Sequence, residues 1–209
     1  GWRRIRFLVR SARGVDLSVE TCPHYLYLTT QDGERLGPNF LRVKPPVREP
    51  GHSGPLWDAI VEGLIDIIST DHAPHLLEEK TRDSIWDVAA GFPGVETSMR
   101  LMLAEVSKGR LTLPAYVRMA CAAPAKAFGL YPRKGALAVG SDADIVLVDM
   151  AARGRIRRQA LHSIGDASPF EGFPIAGAPV RTIVRGRTVA LDGEPVGEPG
   201  WGRCVAETG

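Results

Sequence analysis

Cysteine is scarce: three occur in 209 residues, at positions 22, 121 and 204. They lie far apart, are odd in number and lack the paired spacing of a metal knuckle. A disulfide framework is thereby excluded, and a reducing compartment is implied. Long hydrophobic runs are missing too. No stretch approaches the roughly 20 apolar residues of a membrane span, and no signal-peptide pattern opens the chain. Nor is there a large net charge. With 26 basic and 24 acidic residues the balance is +2, too small for general attraction to nucleic acid or an anionic membrane. These absences predict a cytoplasmic protein with no nucleic-acid or membrane partner. Histidine is also sparse, five in all, and nowhere do two stand as His-x-His. Apolar residues, at 44%, are present in quantity and can bury a substantial core.

The hydrophobic spacing predicts an alternating α/β order. Residues 2–14 read as an amphipathic helix closed by Gly14, with Arg3, Arg4, Arg6, Arg10 and Arg13 on its solvated face. Residues 15–29 read as strand-rich, with Val15, Leu17 and Val19 alternating before the Cys22-Pro23 break. The prolines at 45, 46 and 50 make 39–52 a loop. Ser53 is a candidate N-cap for a helix to Leu64 with Leu56, Trp57, Ile60, Val61 and Leu64 on one face. "IDIIST" then reads as a short buried strand ending at Asp71, followed by a polar loop over 76–94. Helices are predicted at 95–108 and 113–122, with a further turn from Pro124 to Gly129. Beyond residue 135 the helical period stops. Short strands punctuated by Gly and Asp take over, with Arg185-Gly186-Arg187 as a tight turn.

One stretch stands out chemically. "STDHAPH", residues 69–75, ends the predicted strand with Asp71, His72 and His75. In α/β folds with parallel strands, functional side chains gather at the carboxyl ends of the strands. A carboxylate there can ligate zinc or serve as general base for a water. An aspartate after a strand can equally be a turn former, so the spacing alone leaves both readings open.

Further stretches narrow the choice. "ETCPHYLYL", "KPPVR", "STDHAPH", "GFPGVETSMRLML" and "SPFEGFPIAGAPVRTIVRGRTV" occur in this order. Together they resemble the C-terminal half of the cyclic amidohydrolases: dihydroorotase, allantoinase and the hydantoinase/dihydropyrimidinase group, closest to dihydroorotase. The resemblance implies the C-terminal part of a (β/α)8, TIM-like metal-dependent hydrolase barrel plus a small β-sandwich domain. Residues 1–135 would be the last strands and helices of the barrel, and 136–209 a small composite β domain and tail.

The resemblance makes Asp71 both a metal ligand and the catalytic proton shuttle, in a site holding one or two Zn2+. It makes His75 the contact to a substrate carboxylate and gives the backbone of Ala90 and Gly91 to the ring amide. Lys44 falls on a substrate-facing position, or else points to solvent beside the Pro-Pro turn. His24 and His72 take supporting roles. A (β/α)8 barrel needs about 250 residues, so the remaining zinc ligands are expected on an N-terminal half outside this chain. The same resemblance implies a small-molecule cyclic amide substrate and a homo-oligomer. Dihydroorotase is the leading activity, in pyrimidine biosynthesis; allantoinase or hydantoinase is the alternative. A non-catalytic scaffold of the same ancestry is the reading from another class.

Overall fold

The computed structural model describes Leu8 and residues 17–37 and 39–205. The helix expected over 2–14 lies, but for Leu8, outside the described residues. Two short strands, β1 (Glu20–Thr21) and β2 (Ile67–Ile68), pair in parallel, with Glu20 opposite Ile67 and Thr21 opposite Ile68. Asp66 locks their entry: its carboxylate accepts from Val19 N–H at 2.9 Å, and its own N–H donates to Val19 C=O at 2.8 Å. Because the strands run the same way, the segments that follow them emerge on one side.

The stretch after β1 departs from the strand expectation. Pro23–Tyr27 is a short helix, α1. Pro23 occupies its first position, where a missing N–H is harmless and the fixed φ suits a helix. That placement buries Pro23, His24 and Leu26 together. A second turn of helix, α2 (Asp32–Leu36), follows. The proline loop leads to α3 (Ser53–Val61), in which Ser53 is the first helical residue rather than the cap. Leu56, Trp57 and Ile60 face the core, while Val61 points to solvent.

After β2 the loop carries a one-turn helix, α4 (Leu77–Lys80), that the polar composition of 76–94 concealed. The long helix α5 (Val95–Ser107) matches its periodicity. Thr112 caps α6 (Leu113–Val117), its hydroxyl accepting from Ala115 N–H at 3.2 Å. A π-helical turn, Arg118–Ala122, then joins α6 to α7 (Ala123–Ala127). Pro124 cannot donate to the carbonyl four residues back, and the adjacent Ala123 N–H reaches Arg118 C=O, five residues back.

The remaining strands form one antiparallel sheet in the order β3 (Ile145–Arg155), β4 (Pro174–Val184), β5 (Arg187–Leu191), β6 (Glu194–Pro195). Among the described residues it is a single layer; the sandwich expected for 136–209 was a composite one, with further strands supplied from outside this chain. Arg185 and Gly186 connect β4 to β5 with φ of 47° and 79°, the pair of positive values that a tight two-residue hairpin turn demands. The sheet packs on α5: Ser107 Oγ donates to Ala176 C=O at 3.0 Å. At Gly177, whose φ is 102°, a Cβ would sit 3.1 Å from Leu103 Cβ, so glycine eases the close approach of strand and helix.

Two apolar clusters result. One gathers Leu26, Trp57, Ile60, Ile68, Met102, Leu103 and Met119 under the helices. The other joins Phe40, Val43, Phe92 and Leu101 to Ile156 and Phe170 from the sheet side. Each large side chain fully buried here contributes about 1.5–3 kcal/mol, and the second cluster lies directly beneath the loops that follow β2.

Candidate functional site

The ends of β1 and β2 meet through their side chains. Cys22 Sγ lies 3.2 Å from Ser69 Oγ. Burial is the main influence on the Cys22 thiol and pushes it up to about 11, which leaves it protonated and without nucleophilic character at neutral pH. Asp71 follows two residues after Ser69, exposed, with a φ of 46°. Aspartate tolerates this left-handed conformation better than most residues, and the turn lifts the carboxylate out of the strand line toward solvent. Its negative charge acts on Cys22, His24 and Tyr25, so it stands over the buried end of β1.

His24 is buried, and that burial pulls its imidazole down to about 4, against the opposing pull of Asp71. The ring is neutral at physiological pH, and its Nε2 has no hydrogen-bond partner among the described residues. His72 is fixed differently. Its Nδ1 accepts from the N–H groups of Gly94 (3.0 Å) and Val95 (3.2 Å), at the start of α5. Two donors on Nδ1 place the ring proton on Nε2. Gly94 is required here, since a Cβ would come within 2.8 Å of Thr70 C=O.

His75 turns toward the loop that precedes α5. Its Nε2 is 3.2 Å from Ala90 C=O, and its Nδ1 lies 3.8 Å from Glu79. Ala90 is half-buried and Gly91 buried. Gly91 N–H donates to Arg42 C=O at 3.0 Å, and Ala73 N–H donates to Phe92 C=O at 2.9 Å. At Gly91, with φ of 131°, a Cβ would overlap Ala73 Cβ at 2.4 Å. Glycine is therefore the residue that lets the 72–75 and 89–92 segments run side by side. Lys44 is exposed, two residues beyond Arg42 and next to the buried Val43.

Of the residues singled out from sequence, His75, Ala90 and Gly91 are thus drawn into one contact group. Lys44 connects to it through Arg42, and Asp71 is joined by the intervening 72–75 turn. Sequence reasoning missed three parts of this arrangement. Lys80 is buried inside it, Arg42 holds the loop from outside by donating to the carbonyls of Trp86 and Val88, and a segment from the sheet side closes over it. There Asp166 accepts from Leu77 N–H at 2.5 Å, and Gly165 approaches His75 so closely that a Cβ would meet its carbonyl at 2.7 Å. The "SPFEG" match lies only two residues beyond Asp166 and was the available signal.

A carboxylate at the end of a parallel strand suits zinc as a donor. Among the described residues, however, no group of three or more His, Cys, Asp or Glu side chains gathers to hold a metal ion. The described residues do not by themselves complete a metal site. No helix among them is long and apolar enough to cross a membrane.

A sequence profile of the Amidohydrolase family matches residues 47–189. The L-hydantoinase of Paenarthrobacter aurescens is 43% identical over 197 residues, covering 93% of this chain and 43% of that protein. The D-hydantoinase of Ralstonia pickettii is 39% identical over 201 residues, with 93% and 44% covered. Among solved structures, the L-hydantoinase (dihydropyrimidinase) of Arthrobacter aurescens superposes with a TM-score of 0.88 at 40% identity, over 94% of this chain and 44% of that one. The D-hydantoinase (dihydropyrimidinase) from a Thermus species gives the same TM-score at 38% identity. The chain thus spans less than half the length of these relatives. They are hydantoinases, whereas the motif reading leaned to dihydroorotase.

Proposed function

Because the chain belongs to the amidohydrolase family, we propose that it supplies the last strand ends of a site that hydrolyses cyclic amides, completed by sequence outside it. The hydantoin and dihydropyrimidine type is the leading substrate class, supported by the likeness to L- and D-hydantoinases at about 40% identity. Residues 1–135 would contribute to the barrel and 136–209 to the accompanying β domain.

The observation that carries the reading is the placement of Asp71. It stands exposed after a parallel strand, over a neutral buried imidazole, with the 72–75 turn joining it to the Ala90–Gly91 loop. In this role Asp71 is one ligand of a zinc site whose other ligands lie elsewhere in the enzyme. Bound zinc would polarise the ring carbonyl and favour ionisation of water near neutral pH. Asp71 takes a proton from the attacking water as its oxygen bonds to the amide carbon. It returns that proton to the ring nitrogen as the C–N bond breaks, which gives a carboxylic acid and a neutral nitrogen; the acid then loses the water's second proton to solvent and becomes a carboxylate. The Ala90–Gly91 backbone borders the ring amide in this reading; its Ala90 C=O and Gly91 N–H are held by His75 and Arg42, and the packing against Ala73 keeps the segment in place.

A second reading, dihydroorotate as substrate, is favoured by His75 and Lys44, two groups able to face a substrate carboxylate. His75 bears on the choice directly, because its Nε2 is engaged with Ala90 C=O; a carboxylate would have to displace that contact. The test is a comparison of kcat/KM on hydantoin, dihydrouracil and dihydroorotate, using the complete protein that carries this chain and its His75→Ala variant. On the leading reading the uncharged rings are preferred and the variant changes all three alike. Preference for dihydroorotate, lost selectively in the variant, would replace it with the second reading. No turnover of any ring would remove both.

A further inference from the structure

A lysine in a polar loop ordinarily reads as solvated, yet Lys80 at the end of α4 is only 2% exposed. Its ammonium donates to Ala89 C=O at 2.8 Å and to Arg42 C=O at 3.0 Å. The same Arg42 carbonyl accepts from Gly91 N–H at 3.0 Å. The charge also lies over two ring faces, 4.8 Å from the centre of Phe92 and 5.5 Å from that of Phe40. Ala89 N–H, in turn, donates to Glu79 C=O at 2.9 Å, next to Lys80 in the chain. Every one of these contacts ends on backbone or on an aromatic face, and a buried ammonium is costly unless its donors are used.

The segments it joins are the two that flank the candidate site. One runs through Arg42 to Lys44, and the other through Ala89 to Gly91. Remove the ammonium and Ala89 C=O loses its side-chain donor and Arg42 C=O one of its two, while among the described residues the direct backbone tie left between the segments is the Gly91–Arg42 bond. From this geometry we infer that Lys80 is a positioning residue, fixing the Ala89–Gly91 backbone and with it the wall that meets the substrate ring. The inference deepens the cyclic-amide reading and rests on it for the identity of what that wall binds. Burial, and secondarily the nearby Arg42 charge, pull Lys80 down to about 8, so the ammonium that makes these bonds persists at neutral pH. Lys80 touches no reacting atom; its effect passes through the loop.

The complete protein with Lys80→Met tests this, because methionine keeps an apolar side chain between Phe40 and Phe92 and deletes the donors. Two readouts are needed. Amide hydrogen exchange at Ala73 and Gly91 is expected to rise by about tenfold or more, while the amides of β4 and β5 stay protected. For a hydantoin substrate, kcat/KM is expected to fall by about 10- to 100-fold, mostly through KM, as a displaced binding wall requires. Unchanged exchange at both amides overturns the inference. Raised exchange with unchanged KM overturns its substrate half, since the loop would then not be the wall. If the parent protein opens none of the ring amides, the cyclic-amide reading fails on its own, and the exchange experiment still decides whether Lys80 fixes the loop. Should Lys80→Met not fold, Lys80→Arg carries the same two measurements. Arginine keeps charge and donors, so near-wild-type exchange at Gly91 and KM agree with the inference; Lys80→Leu, which removes both, must raise exchange and KM, and wild-type values in Lys80→Leu overturn it.

Discussion

Around the ends of β1 and β2, side chains serve the backbone. Lys80 donates to two carbonyls, His72 accepts from two N–H groups, and His75 contacts Ala90 C=O. Toward the antiparallel sheet, arginines such as Arg153 and Arg155 also reach carbonyls, but several charged side chains pair with one another near the surface. Lys134 bridges Asp142 and Asp144, Arg157 meets Glu171, and His162 lies between Glu96 and Glu194. The contrast separates two kinds of order. A side chain that holds backbone fixes the positions of neighbouring loops, so changing it moves geometry needed for function. Solvated ion pairs fix little, because water and salt replace them readily.

If that contrast is right, the largest effect on stability belongs to the strand-end loops. Gly91→Ala is expected to destabilise the protein by on the order of 3 kcal/mol, from the steric overlap with Ala73 and the unfavourable φ together. A denaturation midpoint measures this, and a loss below about 1 kcal/mol would mean that the loops yield as easily as the surface. Across the sheet side, Lys134→Met is expected to change stability by about 1 kcal/mol or less, although its bonds to Asp142 and Asp144 raise its pKa. A loss comparable to that of Gly91→Ala would erase the distinction.

The smallest effect should come from His162 and should depend on pH. Its hydrogen bond to Glu96, then that to Glu194, raises its pKa above 6.5. A raised folded-state value means that the folded protein binds the proton more tightly than the unfolded chain. The stabilisation is therefore complete below about pH 6.5 and disappears as the pH climbs through the raised value. Wild type should melt above His162→Gln at pH 5.5, and the gap should close in alkaline buffer. A gap that widened with pH would reverse the assignment of charge.

How much of this was legible in the sequence follows from the same contrast. Periodicity located α3, α5 and the β4–β5 hairpin, because each is set by local spacing or by two turn residues. The alternation of Val15, Leu17 and Val19 was carried too far, past Pro23, where the proline starts a helix instead of breaking a strand. Asp71 was visible because a strand end marks it. Lys80 was not, because the groups that bury it, Phe40, Phe92 and the carbonyls of Arg42 and Ala89, are brought together only by the fold. The pairing of His75 with Ala90 and the closure of Gly165 over His75 were hidden for the same reason: each joins positions far apart in the chain.

The most direct test of the site is Asp71→Asn in the complete protein, with kcat and KM measured on whichever cyclic amide the parent turns over. Asparagine keeps the shape of the side chain and removes its capacity to take and return a proton. A fall in kcat of about 100-fold or more, with KM changed far less, is the expected result. Turnover within a few-fold of the parent would contradict the assignment and leave the aspartate as a turn residue at the end of β2.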